Sequence, residues 1–324
     1  MSVLVTGGAG YIGSHVCKAL ARQGYEPISC DDLSRGNAWA VKWGPLEKGD
    51  VLNEEQLTAA LRRYRPRAVI HLAAYAYVGE SCSQPLLYYH NNICGMTSLL
   101  RALSSSGPLP IVFSSSCAIY GNPQLLPIPE EHPQAPINPY GFSKMVAERL
   151  LLDVGNANQF CSVCLRFFNV AGADPEAEIG EAHSPETHLI PRVLAAALSG
   201  DLVEVYGADY DTDDGTCVRD YIHVMDVADA HILALDYLLQ GSKSASFNLA
   251  NRRGYSVREV IDTAREVSAR PIRVAICPRR PGDPAALIGD ASLVQKVLGW
   301  KPVRSALPIQ IADAWRWMCA GRNR

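Results

Sequence analysis

The stretch Val3-Leu4-Val5-Thr6-Gly7-Gly8-Ala9-Gly10-Tyr11-Ile12-Gly13-Ser14-His15 decides the fold. A short β-rich run enters a turn with glycines at positions 7, 10 and 13, and an apolar-periodic segment, Ile12 to Leu20, follows directly. This order predicts a strand, a tight turn and the start of a helix. Glycine is needed where φ is positive, where a phosphate approaches the chain closely, and where a helix packs on a strand. Since the N–H groups at a helix start attract anions, the stretch predicts a dinucleotide-binding turn.

Length and composition exclude several classes of protein. A chain of 324 residues with 48% hydrophobic and 19% charged residues predicts a globular α/β unit with a second lobe. The net charge of −3, without a basic stripe, argues against nucleic-acid binding. No apolar run is long enough to span a membrane and no signal pattern opens the chain, so we expect a soluble, cytoplasmic protein.

The ten cysteines are scattered along the chain, mostly with apolar neighbours. The one CxxC motif, Cys161-Ser-Val-Cys164, has no second pair at zinc-finger spacing and begins a β-like run. These features favour core thiols over a metal or redox site. We therefore expect ten reduced cysteines and no metal.

Strand and helix patterns alternate along the first half of the chain. Ala68 to Ala74 and Phe160 to Phe168 read as strands, and Pro110 to Phe113 reads as a strand that runs into three serines. Pro85 to Ser105 reads as one long helix. The alternation predicts an α/β fold with a doubly wound parallel sheet of the Rossmann type, which binds ligands at the carboxyl ends of its strands. The small residues that end one strand, Leu72, Ala73 and Ala74, suit a backbone that passes close to such a ligand.

The texture changes near Ala171, where glycine, proline and acidic residues interrupt shorter segments. We predict a dinucleotide-binding domain over residues 1–170. Residues 171–324 are predicted to form a smaller α/β substrate lobe, with some crossing of the chain between the two.

Asp31 ends the second predicted strand, 18 residues after Gly13. An acidic residue near this position accepts hydrogen bonds from the adenosine ribose hydroxyls and repels a 2′-phosphate. The sequence therefore favours NAD over NADP, with the nearby Arg35 as the single counter-signal.

Tyr140 and Lys144 form the sharpest pair of candidate catalytic residues. Four residues apart at the start of a predicted helix, they share one face. An ammonium near a phenol favours the phenolate, so we expect Lys144 to lower the pKa of Tyr140. Ser116 ends the preceding strand, where its hydroxyl could share the substrate proton. A phenolate beside a nicotinamide can act as base on a hydroxyl while hydride leaves the same carbon.

The motifs now support a resemblance that covers essentially the whole chain. The opening glycine turn, Ser114-Ser115-Ser116 and Tyr140-Gly-Phe-Ser-Lys144 resemble the extended short-chain dehydrogenase/reductases. Within them, the chain resembles the UDP-glucose 4-epimerase family through Gly79-Glu80-Ser81, Arg166-Phe-Phe-Asn169, Asp214 to Val224 and Pro278-Arg-Arg-Pro-Gly-Asp283.

The resemblance implies an isomerase that uses tightly held NAD to interconvert UDP-glucose and UDP-galactose through a transient 4-keto sugar. Tyr140 would be the base, Ser116 its hydrogen-bonding partner, and Lys144 the residue that tunes Tyr140 and binds the nicotinamide ribose. The full set of implied or expected cofactor residues is Gly7, Gly10, Tyr11, Ile12, Gly13, Asp31, Asp50, Val51, Leu72, Ala73, Ala74, Asn91, Ser114, Tyr140, Lys144 and Phe168. Besides Ser116 and Tyr140, the implied UDP-sugar residues are Asn169, His188, Leu189, Tyr206, Arg219, Arg280, Asp283 and Leu287. Family members are commonly homodimers paired through sheet-domain helices, so we expect a homodimer through Pro85–Ser105 and Met145–Asp153.

Four positions depart from the family pattern. Ala76 stands where many members have a lysine, Phe167 replaces a frequent tyrosine, and His188 stands at the position of an asparagine. Leu287 occupies the position of a bulky tyrosine in some members, and a smaller side chain there could admit an N-acetyl group. UDP-pentoses and UDP-N-acetylhexosamines therefore remain alternative substrates.

Two other function classes are disfavoured. A nucleotide-sugar dehydratase needs an acid and a base directly after the serine, and Cys117-Ala118 cannot supply them at neutral pH. A non-catalytic NAD-sensing protein on the same fold often lacks the tyrosine or the lysine, and both are present here.

Overall fold

The computed structural model describes residues 1–280 and 283–321. Its strands are β1 (Ser2–Thr6), β2 (Glu26–Asp31), β3 (Leu46–Lys48), β4 (Ala68–His71), β5 (Ile111–Ser116), β6 (Ser162–Phe167), β7 (Asn169–Ala171), β8 (Leu202–Tyr206), β9 (Val218–His223), β10 (Ala245–Leu249), β11 (Gly254–Ser256), β12 (Arg273–Cys277) and β13 (Ala286–Leu287). Its α-helices are α1 (Tyr11–Arg22), α2 (Glu54–Tyr64), α3 (Val78–Ser83), α4 (Pro85–Tyr88), α5 (Gly95–Ser106), α6 (Pro139–Asn158), α7 (Leu189–Ser199), α8 (Val224–Leu239), α9 (Val257–Ser268), α10 (Ser292–Leu298) and α11 (Leu307–Gly321). None of these described helices has the length and apolar character needed to cross a membrane.

The large sheet confirms the predicted doubly wound architecture. Its seven strands run in the order β3-β2-β1-β4-β5-β6-β10, and every neighbouring pair is parallel. Successive side chains of a strand point to opposite faces. Accordingly, Val3 and Val5 pack with Leu20 of α1 in one core cluster, whereas Leu4 packs with Leu99 of α5 in another. Helices therefore cover both faces, and the sheet is buried between them.

A second unit holds a smaller core. β9 lies between β11 and β13 and also pairs with β7, while β8 pairs with β12. Ile190 of α7, Val260 of α9 and Ile311 of α11 pack together in the third core cluster. Strand β10 joins the large sheet although it lies in the second predicted segment. The division at residue 170 remains a prediction, and residues 322–324 of that segment lie outside the described residues.

The predicted long helix Pro85–Ser105 is wrong as a single regular helix. A π-helical stretch, Tyr89–Cys94, separates α4 from α5. Within it, Asn92 donates from Nδ2 to the Tyr75 carbonyl at 3.0 Å and to Ser143 Oγ at 2.9 Å. The widened turn thus places an amide side chain between the loop after β4 and helix α6, which a regular 3.6-residue period does not predict.

Helix α6 begins earlier than the predicted run Met145–Asp153. Pro139 occupies its first turn, and the Asn138 side chain accepts a hydrogen bond from the Gly141 N–H at 2.8 Å. A proline in the first turn and an asparagine cap both favour a helix start. The cap therefore brings Tyr140 into the first turn of the helix.

A buried ion pair fastens α6 to the sheet. Arg166 of β6 lies 2.6 Å from Glu148 of α6, and their side chains are 6% and 8% exposed. The Ser115 hydroxyl donates to the same carboxylate at 2.5 Å. Breaking such a pair leaves a buried charge without compensation.

We predict that Arg166→Met lowers the free energy of unfolding by about 3–5 kcal/mol, since Glu148 loses its partner. The matched control on the same helix is Arg149→Met, because Arg149 pairs with Asp153 at 2.7 Å but is 74% exposed. That change should cost less than about 1 kcal/mol. Denaturant unfolding of both variants measures the difference, and equal losses would contradict the assignment.

Candidate active site

The predicted cofactor residues lie along one edge of the large sheet. Gly7 follows β1, Asp31 ends β2, Asp50 and Val51 follow β3, and Phe168 follows β6. The remaining predicted cofactor positions lie on the same strand ends or on the helices that follow them: Gly10, Tyr11, Ile12, Gly13, Leu72, Ala73, Ala74, Asn91, Ser114, Tyr140 and Lys144. Carboxyl ends of parallel strands are where ligands bind in open α/β sheets.

The glycine turn forms a close-fitting cradle. Gly7 adopts a φ of +72°, and a Cβ there would lie 2.7 Å from the Ala73 nitrogen. A Cβ at Gly13 would overlap the Gly7 carbonyl oxygen. Gly10 stands at the N-cap of α1 and has no side chain to cap it, so first-turn N–H groups remain for an anionic ligand. The turn therefore fits a dinucleotide phosphate.

Asp31 provides the carboxylate expected beside the adenosine ribose. Its oxygens accept hydrogen bonds from the Ala9 N–H at 3.0 Å and the Leu33 N–H at 2.9 Å. Each carboxylate oxygen can accept more than one hydrogen bond, so capacity for ribose hydroxyls remains. Arg35, the counter-signal, donates to both oxygens of Glu80 at 2.8 and 2.9 Å. Glu80 thus neutralises the positive charge that would be needed to bind a 2′-phosphate, and this favours NAD over NADP.

The three predicted catalytic residues meet where β5 approaches α6. Ser116 ends β5, and Tyr140 lies one helical turn before Lys144 on α6. Lys144 Nζ donates to the Ser114 carbonyl at 2.7 Å and lies 5.9 Å from the centre of the Tyr140 ring. Tyr140 is 7% exposed and Lys144 is 4% exposed. A phenol, a hydroxyl and an amine thus share a site from which water is largely excluded.

The predicted lowering of the Tyr140 pKa by Lys144 is wrong for the protein alone. Burial raises the pKa of Tyr140 to about 12, and a side-chain interaction with Ser116 opposes that shift. Burial also lowers the pKa of Lys144 to about 7, because desolvation disfavours its charged form. The physical reason is that both groups are buried, and desolvation is the largest influence on the pKa of each.

Asn92 is a site residue that the sequence reasoning missed. Besides its bonds to Tyr75 and Ser143, its Oδ1 accepts from the Tyr75 N–H at 2.9 Å. The Ser143 hydroxyl in turn donates to the Tyr140 carbonyl at 2.7 Å. Asn92 thereby holds the loop after β4 against the first turn of α6. Its position beside Asn91 in an expected helix gave no separate signal.

The small sheet carries part of the predicted UDP-sugar set. Asn169 of β7 is in register with Tyr221 of β9, and Leu287 of β13 is in register with Arg219 of β9. The charge of Arg219 also lowers the pKa of the Cys117 thiol, which follows Ser116 in the chain, although burial raises that pKa more strongly. Strand β7 starts directly after β6, so the small sheet begins where that strand of the large sheet ends.

Four of the predicted substrate residues form two pairs. Arg219 forms an ion pair with Asp283, and the Arg280 guanidinium lies 3.9 Å from the centre of the Tyr206 ring. Leu189 begins α7. Pro281 and Gly282, in the middle of the predicted Pro278–Asp283 motif, lie outside the described residues. Asp283 therefore forms an ion pair with Arg219, a residue that the resemblance assigns to nucleotide-sugar binding.

His188, expected at the UDP-sugar site, lies between two carboxylates. Its Nδ1 lies 2.7 Å from Glu181 and 2.8 Å from Glu186. Burial lowers the pKa of His188, but the two carboxylates outweigh burial and raise it to about 10. Of the other departures, Ala76 is exposed, and the Phe167 ring lies 6.4 Å from the His231 ring.

Comparisons with known proteins agree with this geometry. Residues 3–250 match the model of the NAD dependent epimerase/dehydratase family. A UDP-glucose 4-epimerase from Rhizobium meliloti is 48% identical over 317 residues, covering 98% of this chain and 96% of that protein. The structure of UDP-glucose 4-epimerase from Brucella ovis in complex with NAD is 49% identical with a TM-score of 0.95, covering 97% of each chain. That of the Bifidobacterium longum enzyme in complex with NAD+ and UDP is 38% identical with a TM-score of 0.94, covering 100% of this chain and 99% of that one. The chain belongs to the NAD dependent epimerase/dehydratase family.

Proposed function

We propose that the protein is an NAD-dependent UDP-sugar 4-epimerase that interconverts UDP-glucose and UDP-galactose through a transient 4-keto sugar. The observation that carries the proposal is the meeting of Ser116, Tyr140 and Lys144 at the edge of the sheet. The glycine turn and Asp31 lie along the same edge, and Arg219 lies on β9 of the small sheet. Relatives named for this activity cover nearly the whole chain.

Tyr140 is the proposed base on the sugar 4-hydroxyl. Ser116 shares the proton that Tyr140 removes and returns, and Lys144 orients the nicotinamide ribose from its position one turn away. Bound NAD would supply the hydride acceptor for C4, and its positive charge would favour the phenolate that burial alone disfavours. In this proposal, the positive charge that stabilises the Tyr140 phenolate comes from the bound cofactor rather than from the protein alone.

Arg219 and Arg280 are proposed to bind the pyrophosphate of the UDP-sugar. Arg219 uses Nη1 for the Val218 carbonyl and Nη2 for Asp283, and a guanidinium has five N–H donors in all. Fixed forks of donors suit phosphate oxygens. The Asp283 carboxylate holds Arg219 in place.

The structure strengthens the case against dehydration. Burial raises the pKa of Cys117 to about 12, so its thiol stays protonated at neutral pH and cannot act as the base. Ala118 has no titratable group. Leu287 is half-buried and in register with Arg219, and it stands where some family members have a bulky tyrosine. UDP-pentoses and UDP-N-acetylhexosamines therefore remain alternative substrates.

We predict that the purified protein converts UDP-glucose to UDP-galactose, and the reverse, without added cofactor. Retained NAD is expected because a cofactor regenerated in place has no need to leave. The test incubates UDP-Glc, UDP-Gal, UDP-GlcNAc, UDP-GalNAc, UDP-Xyl and UDP-Ara separately and separates the 4-epimers by chromatography. Absence of a 4-epimer from every sugar, with nicotinamide detected in the protein, would refute the proposal.

The control variant is Tyr140→Phe. It removes the phenol oxygen but keeps the ring, so turnover should fall by about 10²-fold or more, the range of a lost acid–base group, while bound NAD persists. Loss of the cofactor from this variant would mean that Tyr140 serves binding rather than proton transfer.

We also propose a homodimer in the cytoplasm. On the predicted interface segments Pro85–Ser105 and Met145–Asp153, Leu86 and Leu152 are 80% and 49% exposed, and Phe142 nearby on α6 is 42% exposed. Exposed apolar side chains on neighbouring helices favour association. The ten cysteines are free thiols, as is usual in reducing compartments, and cell fractionation tests that location.

Light scattering should give twice the 35.2 kDa of one chain. The double change Leu86→Glu and Leu152→Glu should give a monomer, since it buries charge in the proposed interface. Leu202→Glu is the control, because Leu202 is 56% exposed on β8 of the other unit. A monomeric wild type, or a double variant that remains dimeric, would contradict this interface.

A further inference from the structure

Four metal-ligating side chains converge on the loop that leads into α7. Glu181, His183, Glu186 and His188 each direct one ligand atom inward, and these atoms lie within 4.8 Å of one another. Their spacing, Glu-x-His-x-x-Glu-x-His, places all four within eight residues. The Glu181 side chain is 7% exposed and that of His188 is 41% exposed, so the cluster is partly buried.

The distances match the size of a four-coordinate metal site. His188 Nδ1 lies 2.7 Å from Glu181 and 2.8 Å from Glu186, and His183 Nδ1 lies 3.1 Å and 4.0 Å from the same two carboxylates. Zinc bonds of about 2.0–2.1 Å in a tetrahedron separate neighbouring ligand atoms by roughly 3.3 Å. The observed separations lie on both sides of that value, so small side-chain rotations would form the site.

The charge of the cluster also favours a cation. Among the described residues, no lysine or arginine pairs with Glu181 or Glu186, and their ion-pair partners are the two histidines. Like charges brought together in a partly buried site need a positive partner.

In a neighbouring acidic cluster, a lysine of the chain itself balances the negative charge. Asp174, Glu176 and Glu178 surround Lys18 Nζ at 2.7, 2.6 and 2.5 Å. The chain's own ammonium fills that cluster, so it has no need of a metal. Within the described part of the chain, no lysine or arginine enters the Glu/His cluster. Its positive charge comes from the His188 imidazolium, and a metal ion would replace that proton because imidazole nitrogens are metal ligands.

Aromatic rings hold the histidines in place. Tyr77 lies 5.7 Å from the His183 ring and 6.1 Å from the His188 ring, measured between ring centres. Tyr11, in the first turn of α1, lies 6.3 Å from His183. The cluster therefore joins the loop before α7 to the helix start that the cofactor turn precedes.

Against the expectation of no metal that the cysteine pattern gave, we propose that Glu181, His183, Glu186 and His188 bind one Zn²⁺ ion. Two imidazoles favour zinc over magnesium or calcium, and four protein ligands make a closed structural site rather than a catalytic one. The ion fixes the loop between the glycine turn and α7, and it takes no part in proton transfer at Tyr140.

The test strips the purified full-length protein with EDTA, removes the chelator by dialysis, and titrates with ZnCl₂ in a calorimeter. Wild type should bind one Zn²⁺ per chain, and Zn²⁺ should raise its midpoint of thermal unfolding. His183→Ala and Glu181→Gln should each weaken binding by more than about tenfold and lose the thermal shift. Glu176→Gln, in the cluster filled by Lys18, should behave as wild type.

Three outcomes would overturn the proposal: no zinc binding by wild type, undiminished binding by both cluster variants, or equal binding of MgCl₂. A crystal of wild type grown with Zn²⁺ gives a measurement independent of variant folding. An anomalous peak among the four side chains is expected, and its absence there would also overturn the proposal.

Discussion

The close approach of the turn after β1 to α1 and β4 is the constraint on which the rest of the structure depends. Gly7 is left-handed and lies against Ala73, and Gly13 packs onto the Gly7 carbonyl. A side chain at either position would push the helix or the neighbouring strand end away. Because the sheet places Asp31 and Ser116 along the same edge, that displacement would separate the cofactor cradle from the catalytic groups.

Local sequence patterns predicted many helices and strands, but they did not predict which distant strands pair with one another. Helix α2, at Glu54–Tyr64, has the apolar spacing and the end signals that define a helix within its own sequence. No strand was predicted over Ala245–Leu249, and nothing local in that segment indicates that it pairs with β6, about 80 residues earlier. The π-helical stretch Tyr89–Cys94 is likewise set by the contacts of Asn92 rather than by periodicity.

Residue identity at the site was predictable, whereas its electrostatics was not. The motifs located Ser116, Tyr140 and Lys144, and the structure brings them together. The direction of the Tyr140 pKa depends on burial, which the spacing of Tyr140 and Lys144 does not report. The Glu/His cluster had a visible spacing as well, but in a loop its meaning depends on which way four side chains turn.

The central claim is that the hydrogen of C4 leaves and returns inside one buried site. Tyr140 and Lys144 are almost fully buried, so solvent protons have little access to the reacting carbon. The most direct measurement converts UDP-galactose deuterated at C4 in ordinary water and analyses the product by NMR and mass spectrometry. We expect UDP-glucose with the deuterium retained at C4. Replacement of that deuterium by solvent hydrogen would contradict it.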